Sequence, residues 1–140
     1  MHTILIPIDG SPASLRAVDA VIDRVQKGQK TRIHLINVQP ALPQAVTDFV
    51  GKRSVRDFHK ELGEKELKKA CAKLNKANIA HGIEIAVGDV AETIAAYATK
   101  LKCDEIVMGT RGHSQIANLL LGSSTTKLLH LAKVPVTLVK

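Results

Sequence analysis

One hundred and forty residues, 45% of them hydrophobic and 24% charged, match ordinary globular domains and exclude a disordered or fibrous chain. The aromatic fraction is only 2%, which argues against the stacking platforms that hold single-stranded nucleic acid. The formal charge of +7 suits anionic ligands and equally suits solubility.

Thr3 to Ile8 is a short β-branched apolar run ended by "DGSP", and it predicts a first strand. Ser11 and Pro12 then read as the N-cap and first residue of a helix, whose apolar positions repeat as far as Val25 before Lys27 and Gly28 stop it. Arg32 to Val38 is a second strand, followed by "QPALPQA", whose prolines mark an irregular connection. A long helix is expected from Ser54 to Lys76, with Val55, Phe58, Leu62, Leu67, Ala70 and Leu74 on its apolar face. Gly63 interrupts that face, weakening the helix by about 1 kcal/mol and allowing a bend.

Gly82 to Val87 forms a third strand, and Asp89 with Glu92 three residues on caps the next helix. Asp104 to Met108 is a fourth strand, Ser123 or Ser124 caps a short helix running to Ala132, and Val134 to Val139 is a fifth strand. Strands alternating with helices require crossover connections, so the fold class is α/β, a parallel sheet with helices on both faces. One domain over residues 1–140 is expected, since neither a linker nor an internal repeat appears.

Between Gly51 and Asn78 stand nine basic residues against four acidic ones. Glu61 with Lys65 and Glu64 with Lys68 are spaced as i,i+4 pairs, the pattern of a solvated helix face, so a nucleic-acid or membrane contact is not expected there. Cys71 and Cys103 lack C-x-x-C spacing and fall in apolar-periodic segments, which reads as reduced core thiols and a cytoplasmic protein. The opening "MHTILIPIDGS" has no basic n-region and its apolar run is broken by Pro7 and Asp9, so no export signal and no membrane span are expected. No two histidines or cysteines have metal-ligand spacing. The last strand has no helix after it and is expected at a sheet edge, where "VPVTLVK" could pair with a second copy, limited by Pro135.

The unusual chemistry follows two strands, at Asp9 and Gly10 and again from Gly109 to Gly122. That is where ligands lie in open α/β sheets. Gly109 and Gly112 could present backbone N–H groups to an anion. Gly122 opens the last helix, whose free N–H groups and dipole favour negative charge, and Ser123, Ser124 and Thr125 add hydroxyl donors. The combination suits a polyphosphate. Arg111 could contact a phosphate or point into solvent, and His113 has no evident task.

Gly109, any two residues, Gly112, any nine, Gly122 and then Ser123 resembles the nucleotide-binding signature of the universal stress protein family. "ILIPIDGS", "INV" and "VPVTLVK" are similar to that family's first, second and closing strands, so the resemblance covers nearly the whole chain. It implies a three-layer open sandwich with a five-stranded parallel sheet in order 3-2-1-4-5, ATP or AMP at the carboxyl ends of strands one and four, and a homodimer through strand five. By position, Pro7, Ile8 and Asp9 match the adenosine-side turn, and Val38 the residue whose backbone meets adenine. Met108 and Gly109 match the segment under the ribose, while Gly112, Gly122, Ser123, Ser124 and Thr125 match the phosphate contacts. Any Mg²⁺ would be held chiefly by the nucleotide.

The resemblance and the residues together imply a small dimeric sensor or regulator of the stress response, with a protein partner that the sequence does not identify. The P-loop pattern is absent and no lysine directly follows Gly122, so hydrolysis is expected to be slow or absent. Two other readings stay open. One is a slow ATPase or nucleotidyl-transfer enzyme of the adenine-nucleotide α-hydrolase-like group, although "DGSPAS" lacks that group's first-strand loops. The other is an interaction module that works without nucleotide.

Overall fold

The computed structural model describes residues 1–110 and 122–140. In chain order the elements are β1 (His2–Pro7), α1 (Pro12–Gln26), β2 (Thr31–Gln39), α2 (Gln44–Val50), α3 (Lys52–Lys76), β3 (His81–Val87), α4 (Val90–Lys100), β4 (Glu105–Gly109), α5 (Ser123–Leu131) and β5 (Val136–Val139). The five strands form one parallel sheet in the order β3-β2-β1-β4-β5. β1 is central, and its residues Thr3 to Ile6 are buried on both faces, as expected of a strand covered by helices from either side.

One core lies between the sheet and α1 with α3. It joins Ile4, Ile6, Ile33 and Leu35 to Val18, Val21, Leu67 and Leu74. On the other face Leu5, Ile36 and Ile106 pack against Ile94 and Ala98 of α4 and Leu128 of α5. The alternation of these residues along β1 and β2 assigns each side chain to one layer. Cys103 is buried and Cys71 partly so, both are free, and burial pushes the Cys103 thiol up to about 11.

Several boundaries differ from expectation. "QPALPQA" leads into α2, a seven-residue helix with no buried residue, which hydrophobic periodicity cannot reveal. α3 runs unbroken through Gly63, which turns inward: a Cβ there would lie 2.7 Å from Cγ2 of Ile85, so the missing side chain lets α3 rest on β3. The buried stripe accordingly runs His59, Gly63, Leu67, Ala70 and Leu74, and Phe58 is 48% exposed. Glu61–Lys65 and Glu64–Lys68 do not close within 4 Å; α3 is instead tied to α1 by Lys73 on Asp19 at 2.9 Å. β5 starts at Val136 because Pro135 lacks an N–H, though its carbonyl accepts from Ile106 at 3.0 Å.

At the amino end of the sheet, Glu105 is bound by side chains from three elements. Arg24 of α1 donates to both its oxygens, at 3.0 and 2.8 Å, Thr137 of β5 donates to it, and His2 Nε2 lies 2.7 Å away. The guanidinium, opposed by burial and helped by the Thr137 hydroxyl and His2, holds the Glu105 carboxyl down to about 2. Because this lies below the ordinary 4.5, the stabilisation is fully present above that value and is lost as pH falls toward 2. Glu105→Gln should lower unfolding free energy at pH 7 by about 2 kcal/mol and flatten its decline below pH 4.5, measured by urea denaturation across pH. An unchanged pH profile would mean that Glu105 is not a main contributor to acid sensitivity.

Candidate functional site

The strand order reverses between β1 and β4, and a cavity of about 270 Å³ opens there at their carboxyl ends. Pro7, Ile8 and Asp9 line one side, Val38 of β2 and Ile94 of α4 the floor, Met108 and Gly109 the end of β4, and Gly122, Ser124 and Thr125 the start of α5. Nine of the expected residues therefore meet around one space. Ser123 is the first residue of α5 and exposed, next to the lining rather than in it. Arg111 and Gly112 lie outside the described residues, as does His113.

Three helices contribute to the lining, and they begin differently. Ser11 accepts from the N–H of Ser14 at 3.2 Å and so caps α1. Asp89 accepts from the N–H of Glu92 at 2.9 Å and caps α4. α5 starts at Gly122, which has no side chain to cap it, and the first intrahelical bond runs from Thr126 N–H to the Gly122 carbonyl at 3.1 Å. The helix thus leaves the N–H groups of Ser123, Ser124 and Thr125 without intrahelical partners at its positive end. Ser123 was a candidate cap in the sequence; the cap is one residue earlier.

Lys127, one turn along, reaches Asp89 at 3.1 Å and Glu92 at 3.2 Å, tying α5 to α4 and offsetting part of the charge of these two carboxylates. The Glu92 N–H first, then Lys127, hold Asp89 below the usual carboxylate range. Asp9 is the carboxylate in the lining itself. Burial opposes its ionisation, but the Ser11 hydroxyl and N–H and the Ser14 hydroxyl prevail and lower its pKa. The Ser11 N–H donates to Asp9 Oδ1 at 2.9 Å, which holds the turn after β1. Gly10 in that turn has φ +84°, a conformation that favours glycine.

The two glycines of the lining have separate physical reasons. A Cβ on Gly109 would fall 2.0 Å from the carbonyl oxygen of Ala13, so the end of β4 touches the first turn of α1 and admits no side chain. Gly122 has φ −62° and ψ 154°, a backbone that any residue adopts. The fold therefore requires Gly109, and it places no conformational demand on Gly122.

A buried network behind the β1 turn was not foreseen. Asn37 donates to the Ile8 carbonyl at 2.8 Å and to Glu66 Oε2 at 2.7 Å, and Gln39 donates to Asn37 Oδ1 at 2.6 Å. Asn37 and Gln39 are 1% and 3% exposed. They occupy apolar-facing positions of β2, and two polar residues at inward sites of a buried strand were the available signal. The network sets the height of Ile8, and with it one wall of the cavity.

Gly109→Ala should cost about 3 kcal/mol or fail to fold, because the clash is with backbone, whereas Gly122→Ala should stay within about 1 kcal/mol of the parent. Thermal unfolding of both variants checks this. Equal losses would mean that the Ala13 contact is not the constraint.

The model of the universal stress protein family matches residues 1–140. Universal stress protein MJ0531 of Methanocaldococcus jannaschii is 31% identical over 145 residues, covering 98% of this chain and 81% of its own. Among solved structures, a family protein of Arabidopsis thaliana with AMP bound has a TM-score of 0.73 at 18% identity, covering 100% of this chain and 92% of its own. A universal stress protein in complex with cAMP has a TM-score of 0.67 at 23% identity, covering 99% and 96%. The family match over the whole length, together with the sheet order and the position of the cavity, establishes that this chain belongs to the universal stress protein family.

Proposed function

We propose that residues 1–140 form one nucleotide-binding unit that takes ATP or AMP and acts as a small dimeric sensor or regulator in the stress response. The observation that carries this reading is the start of α5: of the three helices lining the cavity, it alone begins without a side-chain cap. The phosphates belong at the free N–H groups of Ser123, Ser124 and Thr125, with Gly122 leaving room for their approach and the hydroxyls adding donors. The adenosine occupies the side formed by Pro7, Ile8, Asp9 and Val38, with Met108 and Gly109 beneath the ribose. Arg111 and Gly112 complete the phosphate side, and any Mg²⁺ is carried by the phosphates. The AMP and cAMP held by two structural neighbours support the choice of an adenine nucleotide.

Asp9 favours binding over hydrolysis. Its carboxylate is engaged with Ser11 and Ser14 and its pKa is lowered, which makes it a weak base at neutral pH.

Calorimetric titration of the stripped protein with ATP and Mg²⁺, AMP or cAMP, beside mass spectrometry of nucleotide released on denaturation, tests the reading. Gly122→Val and Ser123→Asp should each weaken ATP at least tenfold while thermal stability is nearly kept. Undiminished binding in both variants, or a protein that ignores all three nucleotides, would overturn it.

The proposed dimer uses the β5 edge of the same sheet. Among the described residues β5 pairs with β4 on one side only, leaving backbone groups of Val136–Val139 for a second copy. Sedimentation at micromolar concentration should give twice the chain mass, and Leu138→Pro should return it to the monomer value. A parent protein that already sediments as a monomer would dismiss this edge as an interface.

A further inference from the structure

A second cavity, of about 520 Å³, lies between α2, α3 and β3 and shares no lining residue with the first. Its size falls within the range of small-molecule sites. Ala41, Leu42, Val55, Ile85 and Val87 supply an apolar surface, of which Val87 on the outer strand is 47% exposed.

The charge beside that surface has one sign. Lys52, Arg56 and Lys60 line the cavity at i, i+4 and i+8 of α3, along one helix face, and no carboxylate lines it. None of the three is in an ion pair among the described residues. Like charges at this spacing repel one another on a helix. His59, at the inner side, is buried and engaged with the Pro40 carbonyl at 3.2 Å. An anion placed against the three cations would relieve their repulsion, and an apolar tail would cover the exposed floor.

We propose that this groove is a second binding site, for a soluble single-chain amphiphile with an anionic head, of the medium-chain carboxylate class. The head sits against Lys52, Arg56 and Lys60, and the tail lies along Leu42, Val55, Ile85 and Val87. The apolar residues of the groove are all aliphatic, no Phe, Tyr or Trp lines it, and His59 is held on the Pro40 carbonyl, which suits an alkyl chain rather than the nucleotide proposed for the first cavity.

The test is titration of the full chain with sodium decanoate below its micelle concentration, followed by calorimetry and by amide shifts in ¹⁵N-labelled protein. The expected result is saturable one-to-one binding with shifts centred on Leu42, Val55, Ile85 and Val87. Binding should fall at least tenfold for decanol and for the Lys52→Gln/Arg56→Gln/Lys60→Gln variant, and survive in Lys52→Arg/Lys60→Arg. These positions are exposed, so folding is not at stake, and thermal unfolding verifies it. Unsaturable partitioning, equal affinity for decanol, undiminished binding in the glutamine variant, or shifts centred on Val38 and Met108 would each overturn the proposal. So would tighter binding to anionic phospholipid vesicles than to decanoate, which would make the surface a membrane contact.

Discussion

The contact between the end of β4 and the first turn of α1 constrains everything around the site. The carbonyl of Ala13 occupies the space that a side chain at position 109 would fill, so β4 and α1 approach as closely as two backbones allow. That approach brings the turn after β1 beside the end of β4, and the cavity is what remains between them. Reversal of strand order at the same point prevents a crossover helix from covering it.

Polar residues then build a frame on the apolar one. Asn37, itself held by Gln39 and Glu66, grips the Ile8 carbonyl from behind, while Asp9 and Ser11 take the Ser11 and Ser14 N–H groups at the start of α1. Lys127 offsets part of the negative charge of Asp89 and Glu92 next to α5. α1 and α4 each have one first-turn N–H taken by a side-chain cap, whereas α5 has none. The absence of such a cap on α5 is what the proposed phosphate position rests on. The Glu105 cluster does comparable work at the other end of the sheet, joining β1, α1, β4 and β5.

The two cavities differ in origin. The first comes from topology and is lined by the ends of strands and helices. The second comes from how helices lie on the sheet edge: α2 buries no residue and α3 places three cations beside an apolar strand. Its basic residues look, by spacing alone, like an ordinary solvated face. Gly63 lies against Ile85, and Val55 and the three cations of the same helix share the groove with β3.

Alternation of apolar residues with helix signals was enough to determine the α/β class, the five strands and most boundaries, because buried strands and amphipathic helices carry their periods in local sequence. The resemblance built on Gly109, Gly112, Gly122 and Ser123 likewise pointed to the family that the whole-length match shows, and Gly109 and Gly122 both line the cavity. What the tertiary structure alone decided depends on distant partners. That Gly109 serves the Ala13 contact, that Gly63 packs inward, that Phe58 faces out while His59 faces in, and that Asn37 and Gln39 brace Ile8 all depend on residues remote in the chain. No local window of sequence contains both members of such a contact, so only the assembled layers could assign them.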